Sequence, residues 1–173
     1  MRKLALVPLA ALLVLIAACG YHTLGAATHL PTTVRTLSVP VFQTRTDAYH
    51  TETLMTEAVI REFAARTRLR ITPSTDGNPD AILHGTILQQ QVLPLTFNTT
   101  TQQSSSYVIT VVASVTLTER DGRVLYENKN YVFRQQFQAT TDLSTFLDES
   151  PAAEERLSHD FASALVADVL ESL

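Results

Sequence analysis

The chain is poor in the residues that most often reinforce a small fold or arm it with a cofactor. It has a single cysteine among 173 residues, so no internal disulfide can form, and the fold must rest on its apolar core. It has five glycines, which excludes a glycine-rich dinucleotide loop. It has no tryptophan and, beyond residues 4–18, no long apolar run, so a protein of several membrane spans is excluded. Basic side chains are also scarce, 13 against 17 acidic, for a formal charge of −4. An acidic balance of this kind argues against nucleic acid as a partner.

What is present is concentrated at the start. Arg2 and Lys3 precede an almost unbroken run of Leu, Ala, Val and Ile over residues 4–18. Ile16-Ala17-Ala18-Cys19 then places a branched aliphatic and two small residues before the lone cysteine. This is the pattern of a lipoprotein signal peptide over 1–18, whose cleavage exposes Cys19 for acylation. The run is too short for a transmembrane helix, which needs about 20 apolar residues. Cys19 would carry a diacylglycerol and an N-acyl chain as its only non-protein groups. Each buried methylene contributes about 0.8 kcal/mol, so several chains together anchor stably. Gly20 follows, and the Asp that favours inner-membrane retention is absent, which points to the outer membrane. Removal of 1–18 leaves 11 basic and 17 acidic residues, a formal −6 on about 155 residues, enough for one domain with its own core. Residues 19–33 read as a lipidated tether, and 34–173 as the domain.

Periodicity sketches that domain. Residues 34–42 alternate, with Leu37, Val39 and Val41 on one face, and Pro40 favours an edge or a strand end. Residues 49–66 carry Met55, Val59 and Phe63 at helical spacing, with Ile60 and Ala64 beside them. Glu57 and Arg61 are four apart in the favourable order. Residues 67–72 are short and β-prone, and 73–79 form a turn by composition. Residues 81–92 read as a strand ended by Pro94, in which Gly85 marks a bulge or a close backbone approach. Residues 98–106 contain only Asn, Thr, Gln and Ser and read as a mobile or partner-ordered loop. Residues 107–118 are the clearest strand, Asp121-Gly122 signals a hairpin, and 124–137 return antiparallel. Glu127 to Asn130 is polar on both faces, a bulge or an exposed segment. Ser150-Pro151 reads as the start of a last helix with Leu157, Phe161, Leu165 and Val169 in one stripe. The predicted class is α+β, a two-layer sandwich with a mixed four-stranded sheet and two helices on one face.

Catalytic chemistry finds little support. His22, His29, His50, His84 and His159 make no metal-ligand spacing. Ser158-His159-Asp160 are neighbours on one helix, where adjacent side chains do not face one another. Arginine offers a sharper idea. Arg61, Arg66, Arg68 and Arg70 close the first helix and open the next strand, and Arg120, Arg123, Lys129 and Arg134 lie on the hairpin. Such groups suit a phosphate-bearing glycolipid, but solvated surface charge and cations at a helix C-terminus are the more common explanation.

Taken in order, these parts resemble a known family. The start Cys19-Gly20-Tyr21-His22-Thr23-Leu24-Gly25, then Leu37-Ser38-Val39-Pro40-Val41-Phe42, Asp80-Ala81-Ile82-Leu83-His84-Gly85-Thr86-Ile87, the hairpin around Asp121-Gly122 and the C-terminal helix are similar to LptE, the lipopolysaccharide-assembly lipoproteins. The resemblance implies the same two-layer sandwich, no enzymatic activity, a place inside the LptD β-barrel as plug and assembly partner, contact with lipopolysaccharide (LPS), and lipidation at Cys19. The family gives no motif for the LPS contacts, and Arg66, Arg68, Arg70, Arg120 and Arg123 are candidates by their charge alone. Thr110, Ser114, Thr116 and Thr118 provide a polar strand face suited to a polar barrel lumen. The alternative is an auxiliary lipoprotein subunit of another envelope lipid-transport or secretion complex. A periplasmic enzyme ranks behind both.

Overall fold

The computed structural model describes residues 30, 31, 33–46, 51–98, 103–138 and 143–172. The signal segment 1–18, Cys19, nearly all of the tether and the centre of 98–106 lie outside them. The elements run β1 (Thr36–Ser38), β2 (Gln43–Thr44), α1 (Thr51–Arg66), β3 (Arg70–Thr72), β4 (Ala81–Asn98), β5 (Gln103–Glu119), β6 (Val124–Gln138) and α2 (Leu143–Glu171). The sheet is ordered β3-β1-β4-β5-β6, with β2 pairing β4 off this path. β1 pairs β3 and β4 in parallel, β2 pairs β4 in parallel, and the long β4-β5-β6 meander is antiparallel.

Six strands replace the four expected, for two local reasons. Residues 70–72 do form a strand, held by β1 alone. The single strand expected over 34–42 is divided at Pro40, which cannot donate to a ladder. Its two halves rejoin the same partner with one residue to spare: Ser38 lies opposite Ile82 and Gln43 opposite Thr86. The extra residue reverses the alternation. Val41, expected inside, is 57% exposed, and Phe42 is buried in its place.

Phe42 explains Gly85. Ala81, Leu83, Gly85 and Ile87 face the core along β4. A Cβ on Gly85 would lie 2.6 Å from three ring carbons of Phe42, so the ring occupies the space a side chain would need. The Phe42 amide donates to Thr56 Oγ1 at 2.9 Å, and that hydroxyl donates to the Glu52 carbonyl at 2.6 Å. The backbone group freed by the break in the strand is thereby satisfied from α1.

Both helices cover one face of the sheet. Met55, Val59 and Phe63 of α1 and Leu157, Phe161, Leu165, Val166 and Val169 of α2 are fully buried. They pack with Leu37, Val39, Leu83, Ile87, Val111, Val115 and Leu117 in one cluster. Ala64 is exposed, and Ala58 takes the flank expected of it. The Phe161 ring meets Tyr131 edge-on at 5.6 Å and Phe133 at 5.9 Å, the favoured aromatic geometry. Fully burying one such side chain contributes about 1.5–3 kcal/mol.

Three boundaries differ from the sequence reading. β4 continues through Pro94 to Asn98. Beyond Ile87 no described strand pairs its outer side, so Pro94 stands on an edge, where a missing donor is tolerated. β5 begins at Gln103, inside the stretch expected to be a loop. α2 begins at Leu143 and runs across Ser150-Pro151, which therefore do not open it. Pro151 lacks the donor that would reach the Leu147 carbonyl and its ring crowds that carbonyl, yet the helix continues across it. The polar stretch of β6 is a bulge: Ala113 lies opposite Tyr131 but Val115 opposite Asn128, leaving two residues of β6 against Ser114 alone.

Gly85→Ala is expected to lower stability by about 1–3 kcal/mol, the usual effect of overpacking. In a Phe42→Ala background the same change should have little effect, and denaturant melts of the four proteins in this cycle measure the coupling.

Candidate functional site

One end of the sheet collects charge. The first residues of β1, β3 and β4 and the last of β5 meet there. The Arg70 amide donates to the Arg35 carbonyl (2.9 Å), Asp80 N to Thr36 O (3.1 Å) and Arg120 N to Asp80 O (2.8 Å). These bonds set Arg35, Arg70, Asp80 and Arg120 side by side on adjacent strands.

Asp80 is the hub. Its Oδ2 accepts from Arg35 N (3.0 Å), Thr36 N (2.9 Å) and Thr36 Oγ1 (2.8 Å), and its Oδ1 accepts from Arg120 Nη2 (2.8 Å). Arg120 also donates from Nε to Pro79 O at 3.2 Å, and from Nη2 to Asn78 O. The Thr36 hydroxyl and the two amides hold the Asp80 carboxyl below its ordinary value, and the Arg120 charge adds to them. The turn beneath uses Gly77 and Asn78 at positive φ, as its composition predicted.

Two open cavities flank this hub. One, of about 530 Å³, is lined by Arg35, Thr36, Arg68, Arg70, Gly77, Asn78, Asp80 and Arg120. The other, of about 430 Å³, is lined by Thr33, Asp80, Glu119, Arg120 and Asp121. The first is basic and the second largely acidic. Of the five arginines expected to meet a glycolipid, Arg68, Arg70 and Arg120 share the basic cavity. Arg66 lies away from it, bound to Glu62 and to Ser163 Oγ on α2 at 2.7 Å. Arg123 is paired with Glu119, whose hydrogen bonds and charge push its guanidinium pKa up. Arg35 was missed. It sits alone in the sequence, and only the parallel register of β1 with β3 brings it beside Arg70.

The second candidate surface is the sheet face opposite the helices. It presents Ile82, Thr118 and Val124 in one row, then His84, Thr116 and Glu127, then Gln89, Val112 and Val132, then Gln91, Thr110 and Arg134. Thr110, Ser114, Thr116 and Thr118 are half-buried there, and no described helix covers them. Exposed Leu93, Val124 and Val132 add apolar patches to the same face.

Among the described residues no group of three His, Cys, Asp or Glu is placed to hold a metal ion. His159 Nδ1 touches Asp160 Oδ1 at 3.2 Å on the exposed side of α2, while Ser158 is buried. No helix among the described residues is long and apolar enough to cross a membrane.

These features define a two-layer α+β domain with one open sheet face and one basic end. The family model described as "LptE: Lipopolysaccharide-assembly" matches residues 34–169, most of the chain, and the protein belongs to that family. No curated protein matches the sequence. Among solved structures, the fold is similar to that of uncharacterized lipoprotein B from Nitrosomonas europaea. That likeness has a TM-score of 0.56 at 10% identity, over 87% of this chain and 90% of that one. It is also similar to PelC from Paraburkholderia phytofirmans, a dodecamer, with a TM-score of 0.51 at 11% identity over 86% and 94% of the two chains.

The Asp80 hub makes stability depend on pH in a defined direction. Its folded-state pKa is depressed, so its contribution is complete above the unfolded value of about 3.9 and is lost as pH falls through the folded value. Asp80→Asn should therefore be less stable than wild type at neutral pH, with the difference shrinking below about pH 4. Urea melts of both proteins across pH 3–7 check this.

Proposed function

We propose that this protein is an outer-membrane lipoprotein, anchored through acyl chains on Cys19, that plugs the LptD β-barrel and assists its assembly in LPS transport. The role is that of a structural partner and not of an enzyme. The observation that carries the reading is the family match over residues 34–169. The open sheet face supports it. Threonine, serine and glutamine interleaved with valine suit a surface that spends its life against another protein, because each hydroxyl or amide can find a partner on a polar lumen wall. The lipobox ending in Cys19 supports the anchor, and the basic cavity supports a contact with LPS, chiefly through Arg68, Arg70 and Arg120.

Purification of the tagged full-length protein from its own membranes in mild detergent should recover a large outer-membrane β-barrel in near one-to-one amount. Recovery with an inner-membrane transporter or a secretion ring instead would replace this reading with that of an auxiliary subunit. Cys19→Ala should leave the domain folded and move it out of the membrane fraction in cells lacking the barrel. Retention on membranes there would overturn the anchor.

A further inference from the structure

Among the described residues the sheet leaves three long or outer edges without a partner strand, and two of them are blunted. β3 closes one side with only three residues, flanked by exposed Arg68 and Arg70. β6 closes the other with exposed Glu127, Lys129 and Arg134 and with its bulge opposite Ser114. Short length, charge and bulges are the devices that keep an edge from pairing with another chain.

The third edge, the outer side of β4 beyond Ile87, is built differently. Residues 81–118 contain no Asp, Glu, Lys or Arg. Val92 is 49% exposed, Leu93 52% and Leu95 51%. Val92 lies opposite Ile109 on the helix side of the sheet, and Leu93 opposite Val108 on the open face, so this edge is apolar on both faces. Pro94 offers no donor and ends the usable ladder. Between the register shift at Ile87/Gln89 and that proline, residues 89–93 form a regular, uncharged stretch that no described strand pairs on its outer side.

An occupant of this edge must be extended, uncharged and itself unpaired along one side. Among the described residues one strand edge has all three properties, and it is the same edge on a second copy. Antiparallel pairing of two identical edges requires a two-fold axis normal to the sheet, which sets residues of the same face opposite one another. Centred on Gln91, it places Gln89 against Leu93, Gln90 against Val92 and Gln91 against its own counterpart, with Pro94 just outside. A charged side chain on such an axis would meet its own charge. A glutamine amide both donates and accepts, so it can bond to its own copy.

We propose that two copies of this protein pair through residues 89–93 of β4, antiparallel about a two-fold axis at Gln91, into one continuous sheet. This is a state of the protein free of any barrel, and it goes beyond the plug reading without depending on it.

The test is sedimentation equilibrium of the mature protein in a neutral detergent matched to the solvent density. A reversible monomer–dimer equilibrium is expected. Gln91→Lys and Gln91→Glu should each weaken it by about tenfold or more, because each sets like charges face to face. An equal mixture of the two variants should restore association, since only at the axis does a residue meet itself. Val124→Lys adds the same charge at an exposed position on the open face, away from the edge, and should stay within about twofold of wild type. Thermal melts confirm that the variants are folded. A wild-type protein that stays monomeric at every concentration would overturn the proposal. So would a mixture that fails to restore association, or an equal loss in Val124→Lys. In native membranes, Gln91→Cys should give a disulfide-linked dimer of this chain under mild oxidation, and Val124→Cys should not. Capture of Gln91→Cys by a large barrel protein in place of a second copy would overturn the self-pairing and assign the edge to that partner. The plug reading is decided separately, by what co-purifies with the wild-type protein.

Discussion

Phe42 lies in the gap left by the missing side chain at Gly85, and the architecture is organised around that contact. The ring reaches the gap only because Pro40 divides the N-terminal strand and the spare residue turns Val41 outward. The same break releases the Phe42 amide, which Thr56 of the first helix accepts. One aromatic side chain thus sets the register of two short strands on β4 and fixes the height of α1 above the sheet. In a chain without a disulfide this is how a divided edge is kept in place: dense apolar contact on one side and a satisfied backbone group on the other.

The charged end of the sheet solves a different problem. Strand starts expose amides with no partner, and at β1 a carboxylate 44 residues away accepts two of them. That commitment leaves Asp80 with one oxygen for Arg120, and among the described residues no acid forms an ion pair with Arg35, Arg68 or Arg70. The unbalanced positive wall is therefore a by-product of how β1 is capped. Beside it, Glu119 and Asp121 make a negative wall that shares Arg120. Two surfaces of opposite sign, joined by one guanidinium, lie within a few residues of each other on the same edge.

Much of this was legible in the sequence, and what was not has physical causes. The stripes Met55-Val59-Phe63 and Leu157-Phe161-Leu165-Val169 and the alternation through Val111 and Leu117 were readable because each obeys a single period over several turns or pairs. Gly85 was readable as a close approach, although its partner was not. Strand lengths failed where tertiary context overrode local signals. Pro94 is harmless on an edge that only the topology reveals, and Pro151 sits inside a helix that local capping rules would start there. The strand over 70–72 is too short to carry a period. Arg68, Arg70 and Arg120 could be singled out by composition, but Arg35 could not, because it joins them only through a parallel pairing across the helical crossover.

That pairing has a consequence for the order in which the chain can organise itself. The β4-β5-β6 meander closes through short connections, and each hairpin can zip outward from its turn, so it can form early. β1 cannot. Leu37 must wait for Ala81, and the loop closed by that contact includes the whole of α1. A chain that emerges N-terminus first therefore displays Leu37, Val39 and Phe42 before anything exists to receive them. The first strand made must wait for later ones before it can dock, and in that interval its apolar side chains are open to any other partner.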